Sequence, residues 1–375
     1  MLPPCPTLTD CRRYLLPVPP LSTSSVFEIN PVRGLSYFLF DAAWCVGSIL
    51  ALVRITSDST FLSLPLLLQE AVALPLQLFA GSGLWAMWCV GHDAGHSLVG
   101  GQKTPLRRAL DEVVGEIAHS VFCLTPFASW RRSHKLHHLN HNHVTDDFSH
   151  QWFIREEGLP DWIANSYKLR MLQLPFLYLV YLLPGIPDGS HFVFWPGCGG
   201  RMWEKVGKKE LRRCGLSSAL SVFTATALFS VLGPHAFAMS ILAPWLVLSF
   251  WLFMVTYLQH HSNEGKLYDD STFNFVRAAF ETVDRDYGAI ANFFSHSMMD
   301  GHVAHHLFFN RIPHYNLLTA RDRIVAGLEK DGYGDLYKFE KTHNFVAEIL
   351  KYWDEEWFFV NDASVIRNPK RAEIV

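Results

Sequence analysis

Apolar side chains are concentrated in four long runs of this chain, and polar segments separate the runs. They cover residues 36–55, 68–90, 216–232 and 236–258. A helix rises 1.5 Å per residue, so about 20 apolar residues cross a bilayer core roughly 30 Å thick. Gly233-Pro234 stands between the last two runs and favours a turn. The pattern predicts an all-α integral membrane protein with four transmembrane helices arranged as two hairpins.

The polar segments 1–34, 91–213 and 260–375 are predicted to lie on the same side of the membrane. Basic residues are frequent before the third run, in 201–213, whereas the turns inside the two hairpins hold almost none. The positive-inside rule then places both termini and a helical cap in the cytosol. The N-terminal segment has no leader pattern of charged, apolar and small residues, so no cleavable signal peptide is predicted. Residues 1–375 are predicted to form a single domain.

The composition agrees with a few membrane helices joined to a sizeable water-exposed part. Of 375 residues, 49% are hydrophobic and 18% are charged, and the formal net charge is −3. This charge gives no basic footprint for nucleic acid, which excludes that class of partner. Seven cysteines without a CxxC pair predict reduced thiols rather than a disulfide framework.

Histidines form three clusters with helical spacing in the polar segments. Side chains at positions i, i+3 and i+4 of a helix share one face, so each cluster can present its imidazoles together. Neutral imidazole binds iron, copper, nickel and zinc, and one metal rarely takes more than about six ligands. Eight clustered histidines therefore predict a centre with two metals. The predicted ligands are His92, His96, His134, His137, His138, His302, His305 and His306.

A ninth ligand is predicted because eight histidines leave two metals unevenly supplied. His260 is favoured since it directly follows the fourth apolar run, and His261 and His296 are the alternatives, as a ligand or as a neighbour of one. An imidazole bound to a metal needs its second nitrogen held by a carboxylate or a carbonyl. The candidate carboxylates are Asp93, Asp146, Asp147, Asp284, Asp286 and Asp300.

A two-metal centre at the membrane face suits chemistry on an apolar molecule. Iron is the metal that activates dioxygen in comparable ligand sets. A metal transporter would instead place ionisable groups near the middle of the membrane, in broken helices. Because the histidines stand at the ends of apolar runs and in polar segments, the sequence favours an enzyme, and a histidine-rich transporter is the remote alternative.

Beside the three histidine clusters, the chain has four motifs and an opening segment that bear on its family. The motifs are Trp130 with Ser133-His134, Thr256-Tyr-Leu-Gln-His260, Thr282-Val-Asp-Arg-Asp-Tyr-Gly288, and His302-Val-Ala-His-His-Leu-Phe308 with Pro313-His-Tyr315; the opening segment is Pro6-Thr-Leu-Thr-Asp10 with Tyr14-Leu-Leu-Pro17. In the order of the clusters and in these motifs, and more weakly in the opening segment, the chain resembles the membrane fatty acid desaturases, most closely the methyl-end acyl-lipid group of delta-12 and omega-3 enzymes.

The resemblance implies an oxidoreductase with two non-heme iron ions and O2 as co-substrate, acting on an unsaturated acyl chain of a phospholipid. It implies residence in the endoplasmic reticulum and electrons from cytochrome b5 and its reductase. The His-Pro-Gly-Gly heme motif of cytochrome b5 does not occur in the chain. Arg131, Arg132 and Lys135 are candidates for docking this acidic donor. The sequence leaves open whether the chain forms a homo- or hetero-oligomer.

The residues around the clusters bear on the position of the new double bond. Ala94 stands where plant enzymes usually carry cysteine, and Lys135-Leu136 replaces a common arginine pair. Val303 favours a delta-12 enzyme that converts oleoyl to linoleoyl lipid, whereas Ile312 favours an omega-3 enzyme. We predict delta-12 desaturation. Omega-3 desaturation and the sister reactions, hydroxylation and the formation of acetylenic or conjugated products, are the alternatives.

Overall fold

The computed structural model describes residues 5–16, 25–143, 145–147, 178–179, 181–183, 189–193, 200–260, 262, 265–341, 344, 347–348, 358–361 and 364–367. The chain forms two compact units, each built from separated stretches. Unit 1 comprises Met1–Ile29, Ser133–Met171 and Met254–Val375, and unit 2 comprises Asn30–Arg132 and Leu172–Phe253. Helices predominate in the described residues, as the sequence predicts.

Three helical stretches in the described part of the chain are long and apolar enough to cross a membrane: Pro31–Thr56, Leu66–Gly95 and Lys208–Gln259. The first begins where the side-chain oxygen of Asn30 accepts the backbone N–H groups of the first turn, with proline in the first helical position. The second continues beyond residue 90, where the apolar run ends, because the polar side chains that follow are buried inside the protein and do not interrupt the helix. His92 consequently lies in its last turn.

The third stretch is 52 residues long and is interrupted at Gly233. A straight helix of that length would measure about 78 Å, more than twice the thickness of a bilayer core. Gly233 has φ 73° and ψ 168°, a conformation that glycine adopts without strain, and Pro234 follows it. The helix therefore breaks where the sequence predicts a turn. After Gly233 the chain continues through a short π-helix, Ala238–Leu242, into the helix Ala243–Gln259.

Small residues allow the long helices of unit 2 to approach one another closely. A Cβ atom added at Gly81 would lie 2.3 Å from Cβ of Val247, and one added at Gly83 would lie 3.0 Å from the ring of Trp44. The hydroxyl groups of Thr56 and Ser240 are hydrogen-bonded at 3.0 Å, and both are buried. Close backbone approach and polar side-chain bonds are the usual means of packing helices in membranes.

The remaining elements of unit 2 connect these helices. A π-helix directly follows an α-helix whose first turn is capped by Thr104. The elements are Ser59–Leu62, Pro105–Gly115, the π-helix Glu116–Phe122, the first part of Phe127–Asn140, the 3-10 turn Arg201–Trp203 and Lys208–Phe237 with its break.

Unit 1 combines short helices with two small sheets. Strand Lys266–Tyr268 pairs in parallel with Phe358–Asn361, which pairs antiparallel with Ser364–Arg367, and Asp284–Asp286 pairs in parallel with Phe339–Lys341. The N-terminal helix Leu8–Tyr14 packs on the helix Leu317–Lys330, where Gly327 leaves room for the ring of Tyr14. The helices are Leu8–Tyr14, Phe275–Ala279, Ala289–Phe294, His302–Phe308 and Leu317–Lys330, with 3-10 turns at His314–Asn316 and Gly334–Leu336.

Candidate metal centre

Two short helical segments of unit 1 present the second and third histidine clusters. The second cluster lies on the helix Phe127–Asn140 and the third on the helix His302–Phe308, which confirms the helical spacing predicted for both. Asp284 fixes the start of the helix His302–Phe308. Its Oδ1 accepts the N–H of Val303 at 2.8 Å and its Oδ2 accepts the hydroxyl of Tyr337 at 2.9 Å. Burial raises the pKa of Asp284 to about 7.

A first group of imidazoles brings the two clusters together. Nε2 of His138 lies 3.0 Å from Nε2 of His134 and 3.0 Å from Nε2 of His305. All three nitrogens lie within 4.8 Å of one another. Three Nε2 atoms that converge in this way can serve as ligands of a single metal ion.

A second group is formed by His137, His260 and His306, whose nitrogens also lie within 4.8 Å of one another. Nε2 of His260 is 3.2 Å from Nε2 of His137 and 3.2 Å from Nε2 of His302. His260 directly follows the end of the helix Ala243–Gln259, the position from which the sequence favours it as a ninth ligand. Nδ1 of His302 faces the carbonyl of Met298 at 3.2 Å and donates to it, which leaves Nε2 unprotonated.

The second group fits a metal of the kind that imidazole prefers. His306 is fully buried, and neither of its ring nitrogens has a hydrogen-bond partner among the described residues. Buried polar atoms are normally paired, so two orphaned nitrogens on one side chain indicate a missing ligand. Burial, followed by the neighbouring His302, lowers the pKa of His306 well below its ordinary value, so the ring is neutral. Neutral imidazoles suit iron or zinc and not magnesium or calcium.

One of the six candidate carboxylates contacts the second group. Oδ1 of Asp147 lies 2.7 Å from Nδ1 of His137, and Oδ2 accepts the backbone N–H of Asn142 at 3.0 Å. The other five lie elsewhere in their units. Asp93 lies 3.8 Å from Nδ1 of His92 in unit 2, and Asp146 is exposed to solvent. Asp284 accepts a hydrogen bond from the backbone of Val303, and Asp286 accepts hydrogen bonds from Gly288 and Asn292. Asp300 forms an ion pair with Arg321.

The first cluster, His92 and His96, belongs to unit 2. Both side chains are buried, and their ring centroids lie 4.6 Å apart at the end of the helix Leu66–Gly95. The turn that follows is fixed by Asp111. Its carboxylate accepts the backbone N–H groups of Val99 and Gly100 on Oδ1 and that of Gly101 on Oδ2. Trp130 lies 5.7 Å from the ring of His92 and covers it with apolar surface.

His119 is a buried histidine of unit 2 that the sequence patterns do not single out, because it stands outside any cluster. Its ring stacks on Trp88 with centroids 4.0 Å apart, and Nε2 donates to the carbonyl of Trp88 at 3.1 Å. A Cβ atom added at Gly91 would lie 2.3 Å from Cδ2 of this ring, so only glycine fits there. Burial lowers the pKa of His119 to about 3 and keeps the ring neutral.

The other histidines near the clusters have different surroundings. His141, also missed, is fully buried with its ring 4.6 Å from that of His306; its spacing of four residues from His137 was the available signal. The ring of His296 lies 5.0 Å from that of His314, and His296 is in neither of the two groups that we describe. His261 falls outside the described residues.

The three residues predicted to dock an electron donor differ in their contacts. Arg131 donates to Oε1 of Glu112 at 2.7 Å, and Glu112 is also paired with Arg213. Nε of Arg132 donates to the carbonyl of Met202 at 3.0 Å. Lys135, in unit 1, is exposed. Two of the three cationic groups thus have partners inside unit 2, which the sequence alone does not reveal.

Comparison with known proteins gives consistent matches. Residues 70–338 match the family model described as fatty acid desaturase. The chain is 34% identical to the Delta(12) fatty acid desaturase fat-2 of Caenorhabditis elegans over 71% of this chain and 69% of that protein. It is 34% identical to the Omega-3 fatty acid desaturase fat-1 of the same organism, over 73% of this chain and 66% of that protein. It is 33% identical to the acyl-lipid omega-3 desaturase (cytochrome b5), endoplasmic reticulum, of Arabidopsis thaliana, over 78% of this chain and 70% of that protein.

Proposed function

This chain belongs to the membrane fatty acid desaturase family, and from that premise we propose that it is a delta-12 desaturase that converts oleoyl to linoleoyl lipid. It is an oxidoreductase of unsaturated fatty acid metabolism. Relatives of nearly equal identity are named delta-12 and omega-3 enzymes, so overall similarity leaves the position of the double bond open. Val303 within the third cluster supports the delta-12 assignment.

The observation that carries the proposal is the division of the histidines into two sets of converging nitrogens. We propose that each set holds one iron ion. When bound, the two irons supply the oxidising chemistry: a CH2–CH2 pair, O2, two electrons and two protons give a cis double bond and two waters. One iron would be held by a set that includes His134, His138 and His305, and the other by a set that includes His137, His260, His302 and His306. The sequence resemblance assigns His92 and His96 to the same pair of irons.

The residues around the groups orient the ligands and exclude water. Asp147 accepts a hydrogen bond from the Nδ1–H group of His137, which directs the unprotonated Nε2 towards the second group. Asp284 fixes the start of the helix that bears the third cluster. Trp130 and Trp88 cover the first cluster and His119 with aromatic surface. A dry site strengthens each charge–dipole interaction within it and protects reactive species from side reactions.

We further propose four membrane spans, with both termini and the metal centre in the cytosol and the protein in the endoplasmic reticulum. The break at Gly233 supports a third and a fourth span in place of one long helix. The name of the Arabidopsis relative includes both cytochrome b5 and the endoplasmic reticulum. We therefore propose cytochrome b5 and its reductase as the electron source and a phospholipid acyl chain as substrate.

The deciding experiment is expression in a yeast that makes oleate but no polyunsaturated fatty acids, with and without supplied linoleate. Gas chromatography with location of the double bonds should show a diene without supplementation. A His305→Ala variant controls for background activity. A triene formed only from supplied linoleate would overturn the delta-12 assignment in favour of the omega-3 reaction, to which Ile312 points. A hydroxylated or conjugated product would show that the protein catalyses one of the sister reactions and not desaturation.

A further inference from the structure

Arg285 is a cation that lies completely buried in unit 1, outside both histidine groups. It belongs to the motif 282–288, which contains none of the predicted histidine ligands. Its guanidinium is paired with Glu340, the residue opposite it in the parallel pair of strands, whose side chain is 32% exposed. A fully buried guanidinium is uncommon and needs partners for its N–H groups. The contacts of Arg285 therefore indicate what it holds in place.

The side chain of Arg285 bonds to the end of the helix that leads to His260. Its Nε donates to the carbonyl of Leu258 at 3.0 Å. The last four carbonyls of a helix have no partner within the helix, and a cation near that end is favourable. The next carbonyl, that of Gln259, accepts the backbone N–H of Val283 at 2.8 Å. These two bonds fix the backbone directly before His260.

The backbone of Arg285 holds a second segment, the one that leads to His302. Its N–H donates to the carbonyl of Met299 at 2.9 Å. The side-chain amide of Gln259 donates to the same carbonyl at 2.8 Å, so the two segments also bond to each other. The preceding carbonyl, that of Met298, accepts from Nδ1 of His302 at 3.2 Å. The segment that Arg285 holds thus includes the carbonyl that orients this imidazole.

The two imidazoles whose backbone segments meet at Arg285 face each other. Nε2 of His260 lies 3.2 Å from Nε2 of His302. His260 directly follows the end of one helix and His302 is the first residue of another, so the position of each ring depends on the path of the backbone there. Ligands of a metal must be held within about 0.5 Å of the productive geometry by the residues that support them.

We propose that Arg285 is a positioning residue for the second iron. It sets the separation of His260 and His302, because its side chain holds the carbonyl of Leu258 while its backbone holds that of Met299. The side-chain bond to the helix end, and not the ion pair with the sheet carboxylate, is the contact on which the ligands depend. The inference rests on the metal centre proposed above.

Two substitutions of similar length separate the bond to Leu258 from the ion pair. In glutamine the side-chain nitrogen is attached to Cδ, as Nε is in arginine, so Arg285→Gln can still donate to this carbonyl. Arg285→Met has no donor, and both variants lose the ion pair. Glu340→Gln is the matched control, because it removes the ion pair and leaves Arg285 bonded to Leu258. The readouts are the metal content of the purified protein, the rate of metal release to a chelator and the absorption of the cobalt-substituted form.

Arg285→Met should release one of its two metals about 10–100-fold faster than the unmodified protein, the usual effect of losing a contact that orients a ligand. The absorption of one of the two cobalt ions should change as well, and the other metal should leave at the unmodified rate. Arg285→Gln and Glu340→Gln should both retain slow release of both metals. Slow release from Arg285→Met would overturn the inference. Equal losses from the Met and Gln variants would also overturn it, because they would assign the effect to the ion pair or to packing.

The melting temperature of each metal-free variant distinguishes a displaced ligand from a damaged fold. If Arg285→Met does not fold, the double variant with Glu340→Gln replaces it, because that variant leaves no carboxylate without its cation. Arg285→Gln is decisive by itself in one direction, since fast release from this variant contradicts the proposed role of the side-chain bond. If the unmodified protein binds no metal, the proposed metal centre fails together with the inference. If the unmodified protein binds two metals and Arg285→Met behaves like it, the inference alone is overturned.

Discussion

Oδ1 of Asp147 lies 2.7 Å from Nδ1 of His137, and both side chains are almost completely buried. The carboxylate accepts a hydrogen bond from the Nδ1–H group, so the opposite nitrogen, Nε2, is unprotonated and faces His260 at 3.2 Å. The second oxygen of Asp147 holds the N–H of Asn142 in the turn after the helix. One side chain therefore orients a predicted ligand and ties down the segment that contains His141.

Replacement of Asp147 with asparagine should weaken metal binding without unfolding the protein. The amide keeps the shape of the side chain but lacks the charge that favours the correct tautomer of His137. We expect affinity for one metal to fall about 10–100-fold, measured by competition with a chelator. Asp146→Asn is the control, because that neighbouring carboxylate is exposed. Equal affinities in the two variants would show that Asp147 has no such function.

Alanine substitutions should separate the two histidine groups. His305→Ala and His306→Ala should each abolish the diene product, and each should lose one of the two metals, because the side chains lie in different groups. The His260→Ala variant, and alanine variants of the other predicted ligands, should also lose activity. His143→Ala and His343→Ala should retain substantial activity. Product is measured by gas chromatography and metal by elemental analysis; full activity in His137→Ala or His305→Ala would refute the di-iron assignment.

The sequence predicts those parts of the site that depend on local spacing. His134, His137 and His138 are on a helix, and so are the third-cluster residues, because an i, i+3, i+4 pattern is sufficient to specify one face. The sequence does not reveal which histidine of each cluster joins which group. That division depends on the angle at which the two helices meet, and no local pattern encodes it.

The supporting residues were harder to predict for the same reason. Asp147 was one of six candidate carboxylates, and its contact with His137 depends on the path of the turn after the helix. His119 contacts Trp88 over 31 positions of sequence, so its stacking could not be inferred from spacing. Arg131 was predicted to be a docking residue because a sequence shows charge but not the nearby Glu112.

Asp111 should contribute to stability through the turn that follows the first cluster. Removing its side chain in Asp111→Ala leaves three backbone N–H groups without their acceptor, at a cost of about 1–3 kcal/mol for a buried donor. Asp111→Asn keeps the oxygen that accepts from Val99 and Gly100, but its amide NH2 group then faces the N–H of Gly101, and two donors cannot bond to each other. Thermal unfolding in detergent should show that the melting temperature is highest for the wild type, lower for the Asn variant and lowest for the Ala variant. An Ala variant as stable as the Asn variant would contradict this account.

Charge reversal should distinguish electron-donor docking from internal ion pairing. Lys135→Glu should slow turnover with reduced cytochrome b5 and weaken its salt dependence, because complementary charge mainly accelerates encounter. Arg131→Glu should instead lower the melting temperature, since Arg131 is paired with Glu112. Both turnover and melting are measured for each variant. If Lys135→Glu leaves the salt dependence unchanged, the donor docks elsewhere, for instance at the basic segment 201–213.

The proposed membrane topology predicts a pattern of accessibility. Tags at both termini and in the 140s should be reached by reagents added to the cytosolic side of sealed vesicles. Tags near Asp58 and His235 should be protected, because these residues lie in the turns of the two proposed hairpins. Protease protection measures both sets in one preparation. A lumenal C-terminus would refute the four-span arrangement.

The wide sequence spacing of the second group has a consequence for biosynthesis. His137 and His260 are 123 positions apart, and His302 follows 42 positions later. At roughly 5–20 residues per second, the first of these histidines waits on the order of ten seconds on the ribosome for the last. During that interval the incomplete set is open to copper and zinc, which imidazole binds more tightly than ferrous iron. Loading of the proposed iron would therefore be a late event, after residue 306 has been made, and a chain ending at residue 300 should retain no iron at this group.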